Sequence, residues 1–205
     1  MFLIIVGTGQ MGQTVRACAK KDEFFDKIEM VEPLDAVWPQ EKADLIIDFS
    51  HPKAMKDIYE YCHRHGGGIP VVIGTTGQGK EEETLIKLLE KICPVVRKTN
   101  FSRGIEAMNE LVPRAKELLK GSDISVLEIH HSLKKDSPSG TAKTLCKSLE
   151  LDEKAASSMR IGNMPGQHTV YFALEDELIE IRHTAFSKKI FALGAINVGK
   201  MLIEN

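Results

Sequence analysis

The chain has 205 residues, with 27 Lys plus Arg against 29 Asp plus Glu and a formal net charge of −2. Its 42% hydrophobic and 27% charged residues are ordinary for a soluble globular chain of one or two domains. That composition excludes a disordered chain, and the balanced charge argues against a general nucleic-acid binder, which needs a basic face.

The first apolar run, Phe2 to Val6, is five residues long, far below the about 20 that a membrane-spanning helix requires. No basic segment precedes it, so it is not expected to be a signal peptide. Branched and continuous, it reads as a buried parallel strand. A helix is expected from about Met11 to Lys20, then strands at Ile28–Glu32 and Leu45–Asp48. The stretch Lys53–His65 reads as a helix stopped by Gly66, Gly67 and Gly68. Val71–Ile73 is a fourth strand, Lys80–Lys91 a helix, and Val95-Val96 opens a fifth strand. Strands alternating with helices imply βαβ units and a parallel sheet.

After about Asn100 the pattern changes. Arg103–Lys120 reads as one long helix with Pro113 a potential kink. Ile124–His131 is strand-like, and a Ser/Pro/Gly segment leads into a helix over about Gly140–Glu150. The stretch Leu151–Arg160 reads as a connection. Thr169–Ala173 and Leu178–Thr184 read as strands joined at Glu175-Asp-Glu177, and Lys188–Ile203 as a closing helix. The second half is therefore expected to be α+β.

Gly7-Thr-Gly9-Gln-Met-Gly12 fits G-x-G-x-x-G. It follows a strand and opens a helix, as a dinucleotide site requires. Gly7 permits the turn, Gly9 lets backbone approach a pyrophosphate, and Gly12 lets the helix pack against the strand. The phosphate is then expected at the helix N-terminus, where N–H groups and the dipole favour an anion. Glu32 lies 20 residues beyond Gly12, placed to hold the adenosine ribose hydroxyls. Pro33 follows it rather than Arg or Lys, which favours NADH over NADPH, although Arg16 or Lys27 could supply a charge for a 2′-phosphate. Gly74-Thr75-Thr76-Gly77 follows the fourth strand, where ligands bind in open α/β sheets.

Glu128-Ile-His-His-Ser-Leu-Lys-Lys-Asp-Ser-Pro-Ser-Gly-Thr-Ala142 packs two histidines, two lysines and a Pro-Ser-Gly-Thr turn into 15 residues. Backbone N–H groups and the Ser139 and Thr141 hydroxyls at a helix start suit a carboxylate, and Lys134 adds a point charge. His130 or His131 can donate a proton near neutral pH. A polar strand end leading to a capped helix is the plainer alternative.

That stretch matches the E-x-H-H-x-x-K-x-D-x-P-S-G-T-A motif of dihydrodipicolinate reductases, and the chain resembles that family over nearly its whole length. The glycine loop, Asp48-Phe-Ser50, Gly74-Thr-Thr-Gly77, Asn100-Phe-Ser102 with Gly104, Gly166-Gln-His168 and Gly194-Ala195 occur in the family's order. The resemblance implies a Rossmann-like parallel-sheet nucleotide domain, residues 1–101 and 193–205, and an α+β substrate and oligomerisation domain, residues 102–192. It implies an NAD(P)H-dependent reduction of a small cyclic dicarboxylate in the diaminopimelate route to lysine, in the cytoplasm, by a homotetramer. By the same resemblance His130 is the general acid and Lys134 the second catalytic residue. His131, Lys134, Ser139, Gly140 and Thr141 bind substrate. Gly7, Gly9, Gln10, Met11, Gly12, Glu32, Gly74, Thr75, Thr76, Asn100 and Phe101 bind the cofactor.

Gln10 and Lys188 stand where family members often carry Arg. The 151–160 connection is shorter than usual, and the chain stops soon after its last helix. The rival readings are another two-domain Rossmann dehydrogenase, which the 15-residue motif disfavours, and a nucleotide-binding regulator without turnover, which the intact His130 and Lys134 disfavour. Cys18, Cys62, Cys93 and Cys146 form no CxxC pair and are expected to be reduced. Cys62-His63 with His65 lacks metal-ligand spacing, so no metal is expected.

Overall fold

The computed structural model describes residues 1–33 and 37–204. The chain forms two compact units, one of residues 1–101 and 191–205 and one of residues 102–190.

The first unit holds strands β1 (Phe2–Val6), β2 (Lys27–Val31), β3 (Leu45–Asp48), β4 (Val71–Ile73) and β5 (Val95–Arg97). They pair in parallel in the order β2-β1-β3-β4-β5. Helices α1 (Gln10–Ala19), α2 (Ala54–Arg64) and α3 (Lys80–Leu89) follow β1, β3 and β4. The central strands β1 and β4, and β3 up to Asp48, are apolar because both faces of the sheet are covered there, whereas the edge strands β2 and β5 carry Lys27, Glu29 and Arg97. Phe2, Ile4, Val6, Ile46, Val71 and Ile73 point into one core with Met55, Ile58 and Leu89 of α2 and α3. The alternate residues Leu3, Ile5, Leu45, Ile47 and Val72 point into the other, with Val15 of α1 and Ala192, Ala195 and Ile196 of the closing helix α6 (Lys189–Glu204). Strand order reverses between β1 and β3, the switch point at which such sheets bind ligands.

The second unit is a mixed sheet under two helices. Its strands are β6 (Asp123–His130), β7 (Ala156–Arg160), β8 (Gln167–Ala173) and β9 (Leu178–Thr184), in the order β7-β6-β8-β9. Helices α4 (Arg103–Leu118) and α5 (Gly140–Ser148) cover one face. Helix α4 runs on through Pro113. The strands β8 and β9 form the expected hairpin, closed by Leu174 N–H donating to the Glu177 carbonyl at 2.9 Å.

Residues 151–160 are more than a connection. They hold a 3₁₀ turn (Glu153–Ala155) and then β7, which pairs in parallel with β6. Ala156-Ser-Ser-Met-Arg160 lacks both the apolar alternation and the β-branched residues that mark a strand in sequence. Its place comes from backbone pairing to β6, which the side chains do not report.

Register sorts the inner face of this sheet by chemistry. Ile124, Phe172 and Ile179 form one cross-strand row, and Val126, Val170 and Ile181 the next. Glu128, His168 and His183 then line up, with Ser158 and Arg160 beside them on β7. The apolar rows support the core with Leu145, Leu149 and Met108, and the polar rows form one end of the sheet.

Candidate active site

In the first unit, Gly7 turns the chain out of β1 with φ +102° and donates its N–H to the Val31 carbonyl at 2.8 Å. A Cβ on Gly12 would collide with the Gly7 carbonyl oxygen, so only glycine lets α1 sit this close to the turn. Gly9 is the N-cap of α1, with no side-chain cap among the described residues, and a Cβ there would meet open space. The first-turn N–H groups, those of Gln10, Met11 and Gly12, gather there as a cradle of the kind an anionic pyrophosphate fits. At its rim the Glu32 carboxylate accepts from Thr8 N–H at 3.2 Å and, in a very short contact, from the Thr8 hydroxyl.

The Asp48-Phe-Ser50 turn after β3 abuts this loop, since a Cβ on Gly7 would run into the Phe49 carbonyl and one on Gly74 into the Phe49 ring. Thr75 is buried, and its Oγ1 accepts from Ser50 N–H at 2.7 Å. Thr76 and Gly77 are exposed. These residues fit a nicotinamide dinucleotide, which would supply a hydride when bound. The Phe101 side chain is buried in the core, edge-on to Phe49 with ring centroids 5.9 Å apart. Asn100 precedes it, half-buried. Lys27 is not free to meet a 2′-phosphate, because it pairs with Glu29 at 2.9 Å and Glu41 at 2.7 Å. Arg16 lies in the last turn of α1, away from the helix N-terminus.

In the second unit, period-2 alternation puts Glu128 and His130 on one face of β6. Glu128 is fully buried. Arg160 grips it with two parallel bonds, Nη2 to Oε1 at 2.7 Å and Nη1 to Oε2 at 3.0 Å. His130 Nδ1 meets Oε2 in a very short contact, and Ser139 N–H donates to Oε1 at 3.3 Å. Burial pushes the Glu128 carboxyl up, but Arg160, Ser158 and His130 outweigh it and hold the group down at about 2. Burial lowers His130 below the ordinary histidine value, against the opposing pull of Glu128. Its Nε2 is the nitrogen nearest Gly166, where a Cβ would lie 3.0 Å away.

Lys134 follows in the loop, half-buried and paired with Asp136 at 2.7 Å. His131 is half-buried at the strand end. The Ser139 hydroxyl is not the free donor expected from sequence. It caps α5 by accepting from Ala142 N–H at 3.2 Å, and it lies 3.0 Å from His168 Nε2. What α5 can present to a carboxylate is its first-turn backbone, Gly140 and Thr141, because Ala142 N–H is already taken.

His168 and His183 are partners across β8 and β9. Each imidazole Nε2 meets a helix N-cap hydroxyl, His168 that of Ser139 and His183 that of Ser102 at 3.1 Å. Burial drives His168 down to about 3, so it is neutral wherever the protein is folded at ordinary pH. These histidines tie the starts of α5 and α4 to the sheet.

Residues 26–101 match the family described as "Dihydrodipicolinate reductase, N-terminus", and residues 104–205 match "Dihydrodipicolinate reductase, C-terminus". The chain belongs to the dihydrodipicolinate reductase family. It is 37% identical to the 4-hydroxy-tetrahydrodipicolinate reductase of Thermosipho africanus, over 99% of this chain and 91% of that protein. It is 34% identical to that of Alkaliphilus oremlandii, over 100% of this chain and 93% of the relative. Among solved structures, the dipicolinate-bound dihydrodipicolinate reductase of Paenisporosarcina sp. TG-14 shares the fold, with TM-score 0.75 and 20% identity over 100% of this chain and 95% of that one.

Within this reductase fold, Arg160 is the site residue that sequence reasoning missed. Its signal was hidden with β7: once 156–160 is a strand parallel to β6, Arg160 becomes the partner of His130. Among the described residues no group of three or more His, Cys, Asp or Glu side chains could hold a metal ion, and no helix is long and apolar enough to cross a membrane. His63 and His65 instead lie against Tyr59 and Tyr61.

Proposed function

We propose that this chain reduces 4-hydroxy-tetrahydrodipicolinate to tetrahydrodipicolinate with NAD(P)H, in the diaminopimelate route to lysine, with His130 as general acid and Lys134 assisting. The observation that carries the reading is the His130 ring, held at Nδ1 by a buried carboxylate beside the N-terminus of α5. The N–H groups of Gly140 and Thr141 would take one substrate carboxylate. Lys134, exchanging Asp136 for the ligand, and His131 would take the other. The electron density left on the substrate ring by hydride addition is quenched by the proton on His130 Nε2. A positioned acid of this kind accelerates a reaction typically about 10²–10⁴-fold. Glu32 and the Gly7–Gly12 cradle support dinucleotide binding. The carboxylate at the rim and the engaged Lys27 favour NADH over a 2′-phosphorylated cofactor.

The test couples the chain to a synthase that generates the substrate and follows nicotinamide absorbance with NADH and with NADPH. Turnover with higher kcat/KM for NADH is expected, together with a fall in kcat of at least about 10² in His130→Gln and Lys134→Ala. Cofactor binding should barely change in either variant. Near-normal turnover in both would reject the residue roles. Nucleotide binding without oxidation would favour the regulator, and a clear NADPH preference would reverse the cofactor reading.

A further inference from the structure

Arg160 carries five N–H groups, and each has an acceptor. Two go to the Glu128 carboxylate, as above. Nη1 also reaches its neighbour's carbonyl, that of Met159, at 2.8 Å. Nη2 reaches the Asp136 carbonyl at 2.6 Å, and Nε that of Lys134 at 3.3 Å. One guanidinium thus grips the carboxylate behind His130 and two carbonyls of the loop that carries Lys134. Its side chain is only 19% exposed and that of Glu128 is 0% exposed, so the pair sits behind the reactive groups rather than among them.

We propose that Glu128 and Arg160 are positioning residues that fix the His130 tautomer and the Lys134 loop together. The inference rests on His130 being the reacting imidazole. A carboxylate paired to a guanidinium and fully buried stays ionised and can only accept hydrogen bonds. The His130 nitrogen that faces it, Nδ1, must therefore be the one that keeps its hydrogen. That leaves Nε2 as the nitrogen that gives up its proton to the substrate ring and regains one afterwards. The ring need not flip between turnovers, because donating from Nε2 leaves a neutral Nδ1–H imidazole still bound to Glu128. The other groups facing the ring are cationic or neutral: Arg160 from β7, Lys134 from the loop and His168 from β8, whose ring lies edge-on with its centroid 5.1 Å away. Of these only neutral His168 has an acceptor nitrogen, and His130 Nδ1 is already engaged by the Glu128 carboxylate.

Arg is specific for the task. Lys would keep the charge but brings three donors on a flexible stem, with no planar fork. It could satisfy Glu128 or the loop carbonyls, not both.

The test is imidazole nitrogen NMR on the full chain labelled with ¹⁵N histidine, with His130 assigned by its absence in His130→Gln. Neutral His130 in the wild type should carry its hydrogen on Nδ1, with Nε2 the titrating nitrogen. In Glu128→Gln the amide can donate to Nδ1, so the hydrogen should move to Nε2, and kcat should fall about 10²-fold with the NADH KM within twofold. Arg160→Met and Arg160→Lys should both lose at least tenfold in kcat, with Lys failing to rescue. Circular dichroism melts identify any variant that does not fold. The wild-type tautomer needs only the His130→Gln assignment, so it still decides the matter if the Glu128 and Arg160 variants unfold. Neutral His130 protonated at Nε2 in the wild type overturns the proposal, and so does an Arg160→Lys enzyme of wild-type activity. If His130→Gln turns over normally while the wild-type tautomer is as stated, it is the general-acid reading that fails.

Discussion

Asp48 shows what a single buried charge does in this chain. It ends β3, the central strand of the parallel sheet, and is 1% exposed. Burial pushes its carboxyl up to about 6, against the Ser50 and Thr75 hydroxyls beside it. The folded protein therefore holds a proton that the unfolded chain gives up near the ordinary aspartate value of 3.8. Stability from this group is complete below about that value and is lost as pH rises to about 6, with a ceiling of about 3 kcal/mol at about 1.4 kcal/mol per pKa unit. Asp48→Asn cannot ionise. Urea unfolding at pH 4 and pH 7 should show the Asn variant gaining on the wild type at the higher pH, by about 1–3 kcal/mol. A difference that is the same at both pH values would mean that burial does not tune this carboxyl. Glu128 is the opposite case: also buried, but paired to Arg160, it is held down rather than up. The partner, not the burial, decides the sign.

Helix α1 is set by two glycines with distinct duties. Gly12→Ala exchanges a poor helix former for the best one, an intrinsic gain of about 1 kcal/mol. Its Cβ would collide with a backbone carbonyl, that of Gly7, which cannot rotate away as a side chain could. The clash should win, with a net loss of about 1–3 kcal/mol in thermal melts and weaker NADH binding by titration. Gly9→Ala meets nothing within 4 Å, so the melt should hold while NADH affinity falls. If Gly9→Ala binds NADH normally, the cradle is not where the pyrophosphate sits. Both glycines were legible from the spacing G-x-G-x-x-G after a strand. The element that was not legible is β7. Its five residues follow no period of their own, and its strand character exists only in the ladder with β6. Helices α4 and α5 were legible to within a few residues, but not the anchoring of their N-caps by His183 and His168, because those pairs join residues 81 and 29 apart in sequence.

On the scale of the molecule, the second unit leaves one sheet face without a helix. Its edge strand β9 exposes Leu178 there, and β7 exposes Met159. A homotetramer assembled on this sheet would cover such residues. Sedimentation equilibrium should give about four times the chain mass of 22.8 kDa, and a monomer at micromolar concentration would reject that assembly. The alternation of strands and helices, the glycine loop and the motif from Glu128 to Ala142 were written in the sequence, because each depends on residue spacing along one strand, turn or helix. They determined the parallel sheet, the glycine turn into α1, the family and His130 as the residue to watch. Only the tertiary structure decided which nitrogen of His130 faces the buried carboxylate, that the Ser139 hydroxyl is engaged by Ala142 N–H and His168 Nε2, and that Arg160 stands behind both Glu128 and the Lys134 loop. Those are facts of strand register and through-space pairing, and a linear spacing carries no record of which strand will lie beside which.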